Sequence, residues 1–239
     1  MIQVLVPLLI ISLSVIYYFL PDIEFESFSV FLSISTFIFS IFIGFMISRQ
    51  GKRYSEIRSE SSKFDGEMSA IYRDLGHLGK KPQEKGKEII KNHYTKILKE
   101  GWDYHLTHKS STITDMHEFL DKIVGKRALA PIENIAVLRV MVSLERLQAI
   151  RKDLIALSDE RIPMFQWMII YVLVAVLFLT LSMIPAEGFV IGAILKSAFG
   201  SAVIFIVILL HSFENLRFFN HSVREQSAQD VLNIFKGTR

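Results

Sequence analysis

Hydrophobic and polar positions are not interspersed evenly along this chain; they alternate in blocks. Four apolar runs, Ile2–Leu20, Phe28–Ser48, Pro163–Ile184 and Gly188–Leu210, are each long enough for a helix to cross a bilayer core, which takes about 20 residues. The first run has no basic segment before it and no small-residue cleavage site, and Pro21-Asp22 follows it, so it is expected to be retained rather than removed as a signal peptide. Between the second and third runs the pattern changes from continuously apolar to amphipathic, with apolar residues recurring at helical spacing. Four helices are expected there. The first leaves the second span directly and carries Tyr54, Ile57, Phe64, Met68 and Ile71 on one side, up to a break at "GHLGKKPQ". The second covers Glu84 to Leu106 with Ile89, Ile90, Tyr94, Ile97, Leu98 and Trp102. The third is short, capped by Thr114 or Asp115, and ends at Val124. The fourth starts at Pro131, a favoured first-turn position, and stops before Pro163, with Ile135, Leu138, Val142, Leu147, Ile150 and Leu154.

The expected fold is therefore an all-α membrane protein with four transmembrane helices and a helical cytoplasmic block between spans two and three. Its regions are 1–48 (spans one and two), 49–162 (cytoplasmic helices), 163–210 (spans three and four) and 211–239 (a cytoplasmic tail). Charge orients it. The segment Arg49–Ile162 holds 22 of the 27 Lys and Arg residues, and four more follow His211. The loop "PDIEFES" has Asp22, Glu24 and Glu26 without a base. Positive charge stays on the cytoplasmic side, so both termini and the central segment face the cytoplasm of an inner, cytoplasmic membrane. Lys196, the one base near the outer side, is expected to snorkel. The net charge of +3 hides this polarity, and nothing in it points to nucleic acid.

Candidate chemistry is sparse. The chain has no Cys, which excludes disulfides and thiol ligands. His105 and His108 lie three apart and resemble the start of a zinc site, but no third ligand follows at a matching spacing, and a solvated pair is the plainer reading. There is no phosphate-binding Gly loop, H-E-x-x-H or G-x-S-x-G, and no acid lies within the spans. No enzyme, metal or cofactor is expected.

The informative stretch is "FIFSIFIGFMISRQGKRYSEIR", Phe37–Arg58, membrane-grade at one end and charged at the other, with no loop between. Phe37, Ile41 and Phe45 share one helical stripe at i, i+4, i+8. Beside it runs a small-residue stripe of Ser29, Ser33, Thr36, Ser40 and Gly44, the kind that lets helices approach closely. A bulky apolar stripe around a shared axis forms a constriction that gates by dewetting; on an isolated span it would simply meet lipid. Arg49, Lys52 and Arg53 follow at the inner end, where the positive-inside rule alone explains them.

"FIGF" followed by "SRQGKRYSEIR" resembles the second span of the bestrophin family. The layout of the whole chain is similar to small prokaryotic bestrophin-like membrane proteins, with further likeness at "HYTKILKEGW", "LERLQAIRKDLIAL" and "IPMFQW". The resemblance implies a homopentamer around a central axis. In it Phe37, Ile41 and Phe45 would form the pore neck, Ser33, Thr36, Ser40 and Gly44 would pack between pore helices, and one continuous helix would make the neck and the wall of a vestibule below. It permits cation-selective channels. Asp22, Glu24 and Glu26 would ring the outer mouth and attract small monovalent cations; Arg49, Lys52 and Arg53 at the inner mouth pull the other way. After the last span the family's calcium clasp is not matched: "NLRFFNHSVREQ" has Arg217, no Pro, and only Glu214 and Glu225 nearby, too few oxygens for a hard cation. The contrasting expectation is a non-conducting scaffold or sensor whose cytoplasmic helices bind a partner through the Tyr94–His108 region.

Overall fold

The computed structural model describes residues 11–13, 15–16, 28–100, 111–125, 128–183, 189–216, 231 and 233. Among the described residues six helices are delimited: α1 (Phe28–Gly76), α2 (Lys80–Glu100), α3 (Ser111–Val124), α4 (Pro131–Asp159), α5 (Met164–Met183) and α6 (Phe189–Glu214). No strand occurs among the described residues. Three helical stretches are long and apolar enough to cross a membrane; they correspond to the second, third and fourth apolar runs. The first run lies almost wholly outside the described residues. The chain is a membrane protein, all-helical where it is described.

α1 answers the puzzle of its sequence. It is one helix of 49 residues, running without interruption through Ser48–Lys52, where apolar sequence gives way to charged. No proline falls in it, and Gly44, Gly51 and Gly66 sit where an added Cβ would meet nothing. It ends where three successive amides turn back on the carbonyls three residues earlier, at His77, Leu78 and Gly79. Gly79 then takes φ +110°, a conformation that costs a glycine little. The break is shorter than "GHLGKKPQ" suggests. α2 starts at Lys80 rather than Glu84, because Pro82 falls in a first turn, where its missing amide proton costs nothing.

The remaining boundaries have local causes. α3 already includes Ser111, so Thr114 and Asp115 lie inside it instead of capping it. Thr112 is buried there, its hydroxyl 2.9 Å from His93 Nδ1. α4 has Pro131 in its first turn, and Glu133 Oε2 accepts the Ala130 amide at 2.9 Å, tying down one of the donors a helix start leaves open. α6 runs four residues beyond the expected Leu210, because its polar last turn is held by side-chain bonds described below. Leu216, just past it, has φ 52°, a left-handed conformation that costs a non-glycine residue roughly 1–2 kcal/mol; its side chain is nevertheless buried.

The chain forms two compact units. One comprises the residues up to Lys52 together with Arg161–Asn215. Its core joins Phe39, Ile43 and Met46 of α1 to Ile170 and Leu177 of α5 and Val203 and Leu210 of α6. The buried side of α6 is lined by small residues, Ala193, Ser197, Gly200 and Ser201; a Cβ on Gly200 would come within 3.0 Å of the Phe178 ring. Lys196 lies on this side, only 9% exposed.

The other unit comprises Arg53–Glu160 and the residues from Leu216 onward. Its core collects Ile57, Phe64, Met68, Ile71 and Leu75 of α1, Ile90, Tyr94 and Ile97 of α2, Met116 and Leu120 of α3, and Val140, Leu144, Leu147 and Leu154 of α4. The approach of α2 to α1 is close: a Cβ on Gly86 would stand 2.1 Å from Leu75 Cδ1, so no larger residue fits. Tyr94 belongs to this core at 2% exposure, its hydroxyl donating to Asp65 Oδ1 at 2.5 Å. Tyr94 is too buried to serve as a docking contact; of the rest of the Tyr94–His108 region, Thr95, Lys96, Leu98 and Lys99 are exposed, and Gly101–His108 lies outside the described residues.

Candidate functional site

The two faces of α1 over Ser35–Gln50 are cleanly separated. Ser35, Phe39, Ile43, Met46 and Gln50 are buried against their own chain. On the other side Phe37, Ile41 and Phe45 are 66%, 58% and 63% exposed. More than half of each of these three side chains is left uncovered by the single chain, a large apolar area that is removed from its surroundings only when something else covers it. The small stripe divides. Ser33, Ser40 and Gly44 are exposed and Thr36 is half-buried, while Ser33 Oγ donates to Ser29 O at 2.9 Å, hiding its polarity within its own helix. The site thus presents a ridge of Phe-Ile-Phe next to a shallow strip of small residues.

At the charged end of the stretch, Lys52 is exposed and Arg49 half-buried. Arg53 differs from the sequence expectation. It is 3% exposed, with Nε donating to Leu157 O at 2.6 Å and Nη2 to Ser158 O at 2.7 Å. Those carbonyls close the last turn of α4, which has no basic residue of its own, so the guanidinium sits at the negative end of the helix dipole. Its charge is committed to α4 rather than displayed to a mouth. Each such charge-assisted bond contributes about 1.5–3 kcal/mol when its partner is retained. Asp22, Glu24 and Glu26 lie outside the described residues.

A second polar knot closes the ends of α5 and α6. Glu214 Oε1 accepts the Ile162 amide and the Trp167 Nε1 proton, each at 3.1 Å, and Oε2 stands 3.7 Å from His211 Nδ1. The Trp167 ring stacks on Tyr171 with centroids 5.6 Å apart. This carboxylate, read from sequence only as a remnant of a calcium clasp, instead pins the entry of α5 to the exit of α6.

Elsewhere, His93 is buried between Phe64 and Tyr94. Burial, then the charge of Asp65 and its hydrogen bond, raise the Tyr94 phenol well above its usual value. Among the described residues no three His, Cys, Asp or Glu side chains gather as metal ligands do; His105 and His108 lie outside them.

With this geometry in place, the comparison with known families is decisive. The family described as Bestrophin-like domain matches residues 26–216. The chain belongs to the bestrophin-like family. The match opens just ahead of α1 and closes just after α6, so it takes in every helix described above. No curated protein and no solved structure matches the chain. Bestrophins are ion channels rather than enzymes, and the bestrophin-like match covers the Phe-Ile-Phe ridge and both polar knots.

Sequence reasoning missed the Arg53 clamp and the Glu214 knot. The first had a signal. Met46, Gln50, Arg53 and Ile57 continue the buried period of Phe39 and Ile43, and an arginine on a buried stripe must be paired. The second had none, because Ile162, Trp167 and Glu214 are joined only by the folding of α5 against α6.

Proposed function

We propose that this bestrophin-like protein is an ion channel built from several copies, a homopentamer as the family resemblance implies, with α1 of each copy lining a central pore. Phe37, Ile41 and Phe45 form its hydrophobic neck, and Ser33, Thr36, Ser40 and Gly44 let neighbouring α1 helices approach. The observation that carries this reading is the exposure of the Phe-Ile-Phe ridge on a helix whose opposite face is packed. An apolar neck without fixed charge passes ions only when widened enough to stay wet, so permeation is passive and gated by movement of α1. Asp22, Glu24 and Glu26 ring the outer mouth and favour small monovalent cations. Arg49 and Lys52 stand at the inner mouth; Arg53, committed to α4, does not. The protein sits in the inner membrane with both termini cytoplasmic.

Because the chain has no cysteine, single cysteines test this directly in liposomes. Cys at 41 or 45 is expected to react with a charged, membrane-impermeant thiol reagent and to lose most of its ion flux on reaction. Cys at 39 or 43 is expected to do neither. Replacing Phe37, Ile41 and Phe45 together by Ala is expected to raise leak flux at least about tenfold, the effect of lowering a barrier by about 1.4 kcal/mol. A ridge that stays unreactive, in a protein that stays silent with all three alanines, assigns the ridge to lipid.

A second reading, a non-conducting scaffold, is favoured by one feature. α4 exposes Ile132, Ile135, Leu138 and Val142, an apolar stripe apart from the residues it buries in its own core. Under that reading the stripe binds a partner protein, and its replacement by Ser abolishes a pull-down while the silent bilayer is unaffected.

A further inference from the structure

The Arg53 clamp has a meaning beyond stability. Taking a guanidinium out of water is costly, and well-packed apolar residues often replace a buried charge without loss. What a buried, directional charge does better is fix one register against its neighbours. Here two of its partner groups are main-chain carbonyls, Leu157 O and Ser158 O, whose positions depend on the whole end of α4 and not on one side chain. The fork of Nε and Nη2 reaches both at once, so it specifies the rotation of α1 about its own axis as well as its distance from α4. Gln50, one turn earlier on the same stripe, is also buried, at 2% exposure.

α1 is a single helix through this point. Phe45 lies eight residues before Arg53, about 12 Å along the axis at 1.5 Å per residue. Within one unbroken α-helix the azimuth of one residue sets that of the other, since turning them separately would break the main-chain hydrogen bonds of the turns between them.

We propose that Arg53 is the positioning residue of the gate: by clamping the C-terminal end of α4 it sets the rotation of α1, and thereby which way Phe45 and Ile41 point. The inference rests on the pore reading above and adds its regulation. Movement of α4, however caused, is transmitted to the neck through Arg53 as rotation of α1, and loosening the clamp frees the neck to change between closed and open settings.

The test separates gating from conduction in single-channel recordings from purified, reconstituted protein. Arg53→Lys keeps the charge but loses the two-pronged fork. It is expected to change open probability by at least about fivefold, with unitary conductance and reversal potential as in the wild type, because the neck side chains are untouched. Ser158→Gly, which removes the Ser158 Oγ bond to Ile155 O at 2.7 Å and loosens the last turn of α4, is expected to shift open probability the same way, by less. A merely structural Arg53 would lower thermal stability and yield and leave the open probability of surviving channels alone. Wild-type open probability in a folded Arg53→Lys protein overturns the proposal; should that variant not fold, wild-type open probability in Ser158→Gly does so. The alanine neck variant keeps the two readings apart. Conduction altered there but gating unchanged in both clamp variants sinks the clamp and leaves the pore; no conduction in any of them sinks both.

Discussion

At the scale of single residues, the unit Arg53–Glu160 is organised around polar groups that have been made safe inside a hydrophobic core. Tyr94 is the clearest. Its ring fills space among Ile90, Ile97 and Phe64, and its hydroxyl is satisfied by Asp65. The folded protein holds the phenolic proton more tightly than the unfolded chain, whose tyrosine titrates near 10. Stability from this source is therefore fully present below about pH 10 and is lost as pH rises through the higher folded value. Tyr94→Phe, which keeps the packing but strips Asp65 of its donor, is expected to cost about 1–3 kcal/mol at neutral pH. It should also flatten the fall of thermal midpoint seen in the wild type between pH 9 and 11. Midpoints measured by circular dichroism across that range check both; an equally steep fall in the variant would mean that other groups drive the alkaline loss. The sequence showed Tyr94 on an apolar face, but not that Asp65, twenty-nine residues earlier, would meet it. That pairing exists only once α2 has folded back on α1.

At the scale of elements, α1 carries the burden of the fold, and its glycines distinguish what one chain needs from what an assembly needs. Gly44 and Gly66 are both exposed helix-interior positions where an added Cβ meets nothing in the same chain. For an isolated chain both substitutions to Ala should stabilise, by up to about 1 kcal/mol each. The proposed packing of neighbouring α1 helices along Ser33, Thr36, Ser40 and Gly44 makes a different forecast for one of them. Gly66→Ala is expected to be neutral or mildly stabilising, whereas Gly44→Leu is expected to dissociate the oligomer or lower its order. Size-exclusion chromatography with light scattering in mild detergent reads this directly. Equal, intact assemblies for both variants would move the subunit contact off the small stripe. The helices themselves were legible from periodicity, since long apolar or amphipathic runs have few alternatives. Their starts were less so, by three or four residues at α2 and α3. A tolerated first-turn proline, Pro82, decides the start of α2, and it does not show in the hydrophobic pattern. The ridge of Phe37, Ile41 and Phe45 was legible as a stripe, yet periodicity alone could not separate it from a lipid-facing one. Exposure on a helix whose other face is packed narrows the choice, and the reactivity of single cysteines decides it.

For the whole molecule, the question is how two separately cored units communicate. Each has its own set of buried residues, and α1 contributes to both, with Phe39, Ile43 and Met46 in one and Ile57, Phe64 and Met68 in the other. The apolar blocks made the division readable from the sequence, because a change from continuous to amphipathic hydrophobicity marks a change of solvent. The pins at Arg53 and Glu214 were not readable, since each joins residues about fifty or more positions apart. Separate cores predict separate unfolding. The long apolar helices keep their main-chain hydrogen bonds inside detergent, where no water competes for them, while the core of the amphipathic helices depends on water being excluded and yields to urea. The chain has two tryptophans, Trp102 and Trp167, so Trp102→Phe leaves Trp167, stacked on Tyr171, as a reporter of the spanning unit alone. In this variant, urea titration of detergent-solubilised protein is expected to remove helical circular dichroism in an early step while Trp167 fluorescence holds. Any change in that fluorescence should come only at higher urea. One coincident transition by both probes would instead mean that the unbroken α1 makes the two cores a single cooperative structure. Rotation of α1 at Arg53 could then not be separated from the stability of the neck itself. Two transitions leave the neck intact while the clamp is loosened, the behaviour a gate operated from the cytoplasmic side requires.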